Sequence, residues 1–89
     1  MLPKNRPPAH PGEILLEEFL QPRDLTQSAL SERLDIPLQR VNSIIHGKRS
    51  VTPETAILFA RFFETTAQFW LNLQMQYDLW FAERKMSGP

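Results

Sequence analysis

The sequence predicts an all-α protein that consists of five helices in one domain. Apolar residues recur at the spacing of a helix face in five separate segments, and signals for starting or ending a helix bound each segment. No segment shows the alternation of apolar and polar residues that is typical of a strand. The chain has 89 residues, of which 42% are hydrophobic. This is enough for one small folded domain with a single core.

The chain begins with a Pro-rich, basic stretch, residues 1–9, which predicts a flexible arm. Its cations, Lys4 and Arg6, leave open a contact with the minor groove of DNA, although a solvated tail is the preferred interpretation. The first helix opens at residues 10–13 with Pro11, whose missing amide would be unpaired in a first turn in any case. Pro22 is expected to end this helix.

Residues 26–49 predict two short helices joined by a tight turn. Thr26 is a suitable N-cap for the first of the pair, because its hydroxyl can accept a hydrogen bond from a free amide. The turn falls at residues 35–37, since Asp tolerates a left-handed backbone and Pro37 disfavours helical angles at the residue before it. Gly47 ends the second helix. Two helices joined by so short a turn must cross steeply, which predicts a helix-turn-helix.

Two further helices complete the predicted domain at residues 10–85 and leave a tail at residues 86–89. Thr52 and Pro53 begin the fourth helix, and either Thr65 or Thr66 caps the fifth, which is the longest. The fifth helix is apolar on more than one side, so it is either buried or shares a face with a partner. The preferred interpretation is a homodimer interface, and the alternative is that all these residues belong to the core of a monomer. The predicted dimer interface comprises Trp70, Leu73, Tyr77, Trp80 and Phe81.

The charge pattern favours nucleic acid only locally. The formal net charge is zero, which by itself argues against a nucleic-acid binder. Between residues 33 and 49, however, four basic residues stand against the single acid Asp35. These basic residues are Arg33, Arg40, Lys48 and Arg49. A net charge of zero still predicts weak non-specific affinity of one subunit for DNA. DNA binding is therefore expected to depend on the pairing of two subunits.

The second helix of the pair is predicted to enter the major groove of double-stranded DNA. The expected base contacts are Leu38, Gln39, Arg40 and Ser43. Gln39 suits adenine, Arg40 suits guanine or a phosphate, and Leu38 could meet a thymine methyl group. The expected phosphate contacts are Gln27, Asn42, Lys48 and Arg49. The alternative is an ordinary helical hairpin with a solvated polar face.

Catalysis, metal binding and cofactor binding find no support in the residue inventory. The chain lacks cysteine, and its two histidines, His10 and His46, begin one helix and end another without an acid–base partner. There is no Gly-rich phosphate loop and no HExxH motif. The sequence therefore predicts neither an enzyme nor a metal site, and no cofactor. With no signal peptide or membrane span evident, a cytoplasmic location is expected.

Several motifs carry a resemblance to a known family. The pattern Thr26-Gln27, Leu30-Ser31, Leu34, Ile36, Val41 and Ile44 resembles the helix-turn-helix of Xre-type phage repressors, which implies a lambda-repressor-like fold with a long C-terminal dimerisation helix. Outside it, residues 10–15, 18–20 and 47–49 resemble the HigA/VapI-type antitoxins. The segment Phe-Trp-Leu-Asn-Leu-Gln at residues 69–74 is the most specific part of this match.

This resemblance implies a dimeric repressor of its own operon that also neutralises a HigB-type toxin, a ribosome-dependent mRNA-cleaving protein. The alternatives are an Xre-type regulator without a toxin partner and a toxin-sequestering module with little DNA binding. Three residues depart from the family pattern: Pro37 replaces a capping Ser or Thr, Leu38 replaces a polar base-facing residue, and Asp35 replaces Gly. The operator sequences of relatives therefore do not predict the operator sequence of this protein. The acidic side of the first helix, with Glu13, Glu17 and Glu18, is the suggested toxin contact.

Overall fold

The computed structural model of the protein describes residues 6–87, and every regular element in that part of the chain is helical. The first helical segment runs without interruption through α1 (Pro11–Ile14), a π-helix (Leu15–Leu20) and a 3₁₀ turn (Gln21–Arg23). Four helices follow: α2 (Gln27–Leu34), α3 (Leu38–Ile45), α4 (Pro53–Phe63) and α5 (Ala67–Met86). With the first segment counted as one helix, the predicted five-helix, all-α fold is confirmed.

The helix ends lie where the polar side chains predicted them. Thr26, Thr52 and Thr66 cap α2, α4 and α5, and each hydroxyl accepts a hydrogen bond from the backbone N–H three residues later, at 3.0, 3.3 and 3.0 Å. Asp35 and Glu64 follow α2 and α4 in the left-handed conformation, with φ of 56° and 60°. That conformation turns the chain sharply, so each helix packs against the next.

An aromatic cluster forms the centre of the core. Trp70 has no exposed surface, and its ring lies 5.0 Å from Phe19 of the first segment and 5.0 Å from Phe59 of α4. Its indole N–H donates to the hydroxyl of Thr65 at 2.8 Å. The prediction that Trp70 belongs to the dimer interface is therefore wrong, because rings from two other helices already enclose it.

A buried amide joins α5 to the loop between α3 and α4. The side chain of Gln74 is only 6% exposed, and its Oε1 accepts a hydrogen bond from the backbone N–H of Val51 at 2.9 Å. Its Nε2 donates to Asp78 Oδ1 at 3.0 Å. Both polar ends of Gln74 therefore have partners, as a buried amide requires.

The start of the first helix packs directly on the end of α3. Gly12 lies so close that a Cβ there would overlap the carbonyl of Ile44. His10 caps the helix, because its Nδ1 accepts a hydrogen bond from the N–H of Gly12 at 2.9 Å. Its buried ring meets Tyr77 of α5 edge-on at 4.8 Å. Burial lowers the pKa of His10, and the nearby carboxylates Asp78 and Glu13 only partly oppose that shift.

The second half of α5 extends away from the rest of the molecule. Trp70 and Gln74 are its only buried residues among those described, and the described part of the chain measures 46 × 23 × 23 Å. Met86 completes α5, which agrees with the predicted end of this helix at about residue 85. Residues 1–5 of the predicted arm, with Lys4, and residues 88–89 of the predicted tail lie outside the described residues. None of the helices within residues 6–87 is long and apolar enough to cross a membrane.

Candidate nucleic-acid interface

The predicted helix-turn-helix is present in α2 and α3. Leu30 and Ser31 of α2 and Val41 and Ile44 of α3 are all buried where the two helices cross. Ser31 is small enough for close approach, and its hydroxyl donates to the carbonyl of Ser28 at 3.3 Å. The apolar side of α3 is thereby held against the body of the protein, and its other side is left to solvent.

The first turn of α3 presents two of the predicted base-contacting residues to solvent. Leu38 is 46% exposed, and Gln39 is also exposed. Pro37 precedes the helix with φ −61° and ψ 141° and provides no capping side chain. Ser43, one and a half turns later, is half-buried.

A recess lies between the starts of α2 and α3, and we call it the Leu38 recess. Its lining residues are Thr26, Gln27, Ser28, Leu38, Gln39 and Asn42. Across one side of it, Asn42 Nδ2 donates to Gln27 Oε1 at 3.2 Å, although the two residues are 15 positions apart in the chain. This hydrogen bond joins the side chains of α2 and α3 across the recess. Gln27 keeps its NH₂ as a donor, and Asn42 keeps its carbonyl oxygen as an acceptor.

The predicted base contact Arg40 lies elsewhere. It is half-buried and lines a second recess at the start of α4, which we call the Arg40 recess. The residues around this recess are Arg40, Arg49, Ser50, Thr52, Glu54 and Thr55. Arg40 and Arg49 therefore share one surface, and the geometry favours the phosphate role that the sequence left open for Arg40. No sequence pattern indicates this pairing, because it depends on how the loop after α3 returns to α4.

Backbone hydrogen bonds hold the turn after α3. The carbonyl of Ser43 accepts from the N–H groups of Lys48 and Arg49 at 2.9 and 3.2 Å, with Gly47 at φ 73° between the helix and these residues. Both cationic side chains are exposed. His46 is exposed at the helix end, as predicted, and its Nδ1 lies 2.9 Å from the carbonyl of Asn42. The cations of this turn are thus placed by a fixed backbone.

The four remaining residues of the predicted dimer interface lie along α5 at different depths. Leu73 is half-buried and packs against the core. Tyr77 is half-buried between His10 and Phe81, each with a ring-centroid distance of 4.8 Å. Trp80 is half-buried beneath the guanidinium of Arg84 at 4.2 Å. Phe81 is 44% exposed and is the most accessible of the four.

A second apolar face of α5 was not predicted from the sequence. We call it the aliphatic stripe, and it comprises Leu71, Met75, Leu79 and Ala82. Met75 and Leu79 are 51% and 48% exposed. The spacing of three and four residues was a visible signal for one helix face, but the aromatic residues on the neighbouring face obscured it.

Comparison with known proteins places this geometry in a family. A family model described as helix-turn-helix matches residues 16–70. Virulence-associated protein I of Dichelobacter nodosus is 46% identical over 82 residues, which cover 91% of this chain and 76% of that protein.

Two solved structures with DNA are also similar to this chain. The Pseudomonas aeruginosa antitoxin HigA with the higBA promoter superimposes with a TM-score of 0.82 at 44% identity, covering 84% of this chain and 82% of that one. The antitoxin GraA in complex with its operator gives a TM-score of 0.83 at 37% identity, covering 94% and 85%.

Proposed function

The chain belongs to the helix-turn-helix family, and from this membership we propose that it is a DNA-binding antitoxin that represses transcription of its own operon. The observation that carries the proposal is the exposed first turn of α3, with Leu38 and Gln39 presented beside the hydrogen-bonded amides of Gln27 and Asn42. Such a surface fits the major groove, where side chains of a recognition helix meet base edges. The proposed site of action is the cytoplasm, which contains the operator DNA.

The proposed contacts fall into two groups. Leu38, Gln39 and Ser43 contact bases, and Gln27 and Asn42 contact phosphates through the amide N–H groups that their mutual hydrogen bond leaves free. Lys48 and Arg49 contact phosphates, which fix the register without reading sequence. Arg40 joins them through the recess that it shares with Arg49.

A gel-shift titration on the DNA upstream of the gene tests this assignment. We expect Lys48→Ala to weaken binding and to reduce the slope of log affinity against log salt by about 0.9, since one phosphate contact is lost. Arg61→Ala is the matched control, because it removes one exposed cation from α4. Gln39→Ala should weaken binding by about 1–3 kcal/mol with the salt slope unchanged. Equal salt slopes for Lys48→Ala and Arg61→Ala would contradict the assignment.

The zero net charge makes pairing of two subunits part of the proposal. A dimer adds the phosphate contacts of both copies and places two α3 helices about 34 Å apart, which requires a palindromic operator. The dimer interface runs along α5 from Leu73, at the edge of the core, through Tyr77 and Trp80 to Phe81. Phe81 is 44% exposed, so a second copy would cover apolar surface that this chain leaves to solvent.

Sedimentation of two charge insertions tests the interface. Phe81→Glu should give a monomer, because a dimer would bury the new carboxylate without a partner. Met75→Glu places the same charge on the aliphatic stripe and should leave the dimer intact. The reverse result would move the interface to the aliphatic stripe.

The second partner is a HigB-type mRNA-cleaving toxin, encoded beside this gene. Its proposed contact is the acidic side of the first helical segment, where Glu13, Glu17 and Glu18 are all exposed. Replacing these three with Lys should abolish co-purification with the product of the adjacent gene. The matched control replaces three exposed acids on other helices: Glu32, Glu54 and Glu83. If no adjacent toxin gene exists, the protein is a regulator without a toxin.

A further inference from the structure

We propose that the Leu38 recess reads the C5-methyl group of a pyrimidine in the DNA major groove. The inference rests on the proposed DNA-binding function and assigns what this part of the interface recognises. Two bases carry the group, thymine and 5-methylcytosine, and both present it on the same edge of the major groove.

The composition of the recess supports a small apolar occupant. Leu38 is the single aliphatic side chain among its six lining residues, and it is 46% exposed at the start of α3. An exposed leucine alone would be unremarkable on a protein surface. This one lies in the turn that faces the bases, and it offers neither a donor nor an acceptor to a base edge. Contact with a methyl group is the recognition that it can provide.

The amides beside Leu38 form one side of the recess. Asn42 Nδ2 donates to Gln27 Oε1 at 3.2 Å, so the two amides lie against each other next to the leucine. The hydrogen bond also satisfies one polar group on each side chain before DNA arrives, which lowers the cost of placing apolar surface next to them.

The remaining polar groups suit the atoms adjacent to a pyrimidine methyl. Thymine carries the acceptor O4 next to its methyl group, and 5-methylcytosine carries the donor N4–H₂ there. Gln39 is an exposed amide that can both donate and accept, and Asn42 retains a free acceptor. The surface is thus compatible with both bases, and what they share is the methyl group.

The expected effect follows from burying one methyl group, which contributes about 0.8 kcal/mol, or roughly fourfold in affinity per recess. A dimer with two occupied recesses should show about a 15-fold effect, since the two contributions multiply.

The test measures affinity by gel shift for three versions of the upstream DNA: unmodified, with every thymine replaced by uracil, and with every cytosine replaced by 5-methylcytosine. Each is titrated with the wild-type protein, with Leu38→Ala and with Ile57→Ala. Ile57 is the matched control, as an aliphatic residue of α4 that is 43% exposed. Circular dichroism verifies that each variant is folded.

If the recess reads thymine, the wild type and Ile57→Ala should bind the uracil probe about 4- to 15-fold more weakly than unmodified DNA. If it reads 5-methylcytosine, both should bind the methylated probe more tightly by that factor. In either case Leu38→Ala should lose the discrimination. Similar affinity of the wild type for all three probes, or the same discrimination by Leu38→Ala, would overturn the inference. Failure of the wild type to bind unmodified DNA would instead overturn the proposed function.

Discussion

The buried amide of Gln74 gives the most direct test of how the recognition helix is supported. This side chain accepts a hydrogen bond from the backbone N–H of Val51, in the loop between α3 and α4. Val51 is 3% exposed, so water cannot replace the lost acceptor without local opening. Replacing Gln74 with Met preserves an unbranched side chain of similar size and removes the hydrogen-bonding groups.

The expected cost of Gln74→Met is about 1–3 kcal/mol in the free energy of unfolding, which is the penalty for a buried donor without a partner. The hydrogen bond to Asp78 contributes little to this figure, because Asp78 is exposed and water can replace the amide. For a domain of this size, each kcal/mol lowers the melting temperature by about 4–8 °C. The melting temperature should therefore fall by at least about 4 °C.

Gln76→Met is the matched control, since it makes the same replacement two residues away at an exposed position of α5. It should change the stability by no more than about 0.5 kcal/mol. Urea titrations followed by circular dichroism, at one fixed protein concentration, measure both variants. If Gln74→Met and Gln76→Met unfold at the same urea concentration, the hydrogen bond to Val51 does not stabilise the fold.

Three further predictions concern the contact between the first helix and α3. Gly12→Ala should destabilise the protein by about 1–3 kcal/mol or more, because the new methyl group would overlap the backbone of Ile44, and thermal melts measure the loss. Gly47→Ala should cost about 1–2 kcal/mol in the same melts, because only its left-handed backbone at φ 73° is strained and no atom lies closer to the new Cβ than 3.8 Å. Because the pKa of His10 is lowered in the folded protein, the unfolded chain binds a proton at this residue more tightly. The contribution of neutral His10 to the free energy of unfolding is therefore fully present above about pH 6.5 and is lost as the pH falls toward the lowered pKa. The urea midpoint should change less between pH 5 and pH 7.5 for His10→Asn than for the wild type, because Asn keeps a capping side chain but does not titrate. If the midpoint changes by the same amount in both proteins, His10 does not cause the pH dependence.

The sequence predicted the helices and their ends well, because caps and turns depend on neighbouring residues. Thr26, Thr52 and Thr66 each bond an amide three positions away, and Asp35 needs only its own left-handed conformation. These interactions are local, so a pattern of residues is sufficient to reveal them.

The sequence could not show which residues of α5 belong to the core and which lie on the surface. Helical periodicity places Trp70 and Phe81 on nearly the same face, but it does not show where along the helix the body of the protein ends. Trp70 is predicted in the dimer interface but belongs to the core, because Phe19 and Phe59 from two other helices surround it. Phe81, three turns later, lies beyond their reach.

The finer arrangement of the interface depends on contacts distant in sequence. The hydrogen bond between Gln27 and Asn42 joins residues 15 positions apart, and neither residue indicates the other by type or spacing. The roles of Arg40 and Gln39 likewise could not be distinguished from the sequence, since both are polar residues in the first turn of α3. Only the returning chain at the start of α4 draws Arg40 toward Arg49.

Helix α5 connects the recognition surface to the proposed dimer interface without a hinge. Its first half completes the core through Trp70 and holds the loop after α3 through Gln74, and its second half carries Phe81 outward on the same continuous helix. A helix of 20 residues spans about 30 Å and bends little without a proline or an inserted side chain. The distance between two α3 helices in a dimer is then set by rigid packing rather than by a linker. A protein without net charge benefits from this arrangement, because a fixed spacing lets both copies contact one operator with no further ordering cost.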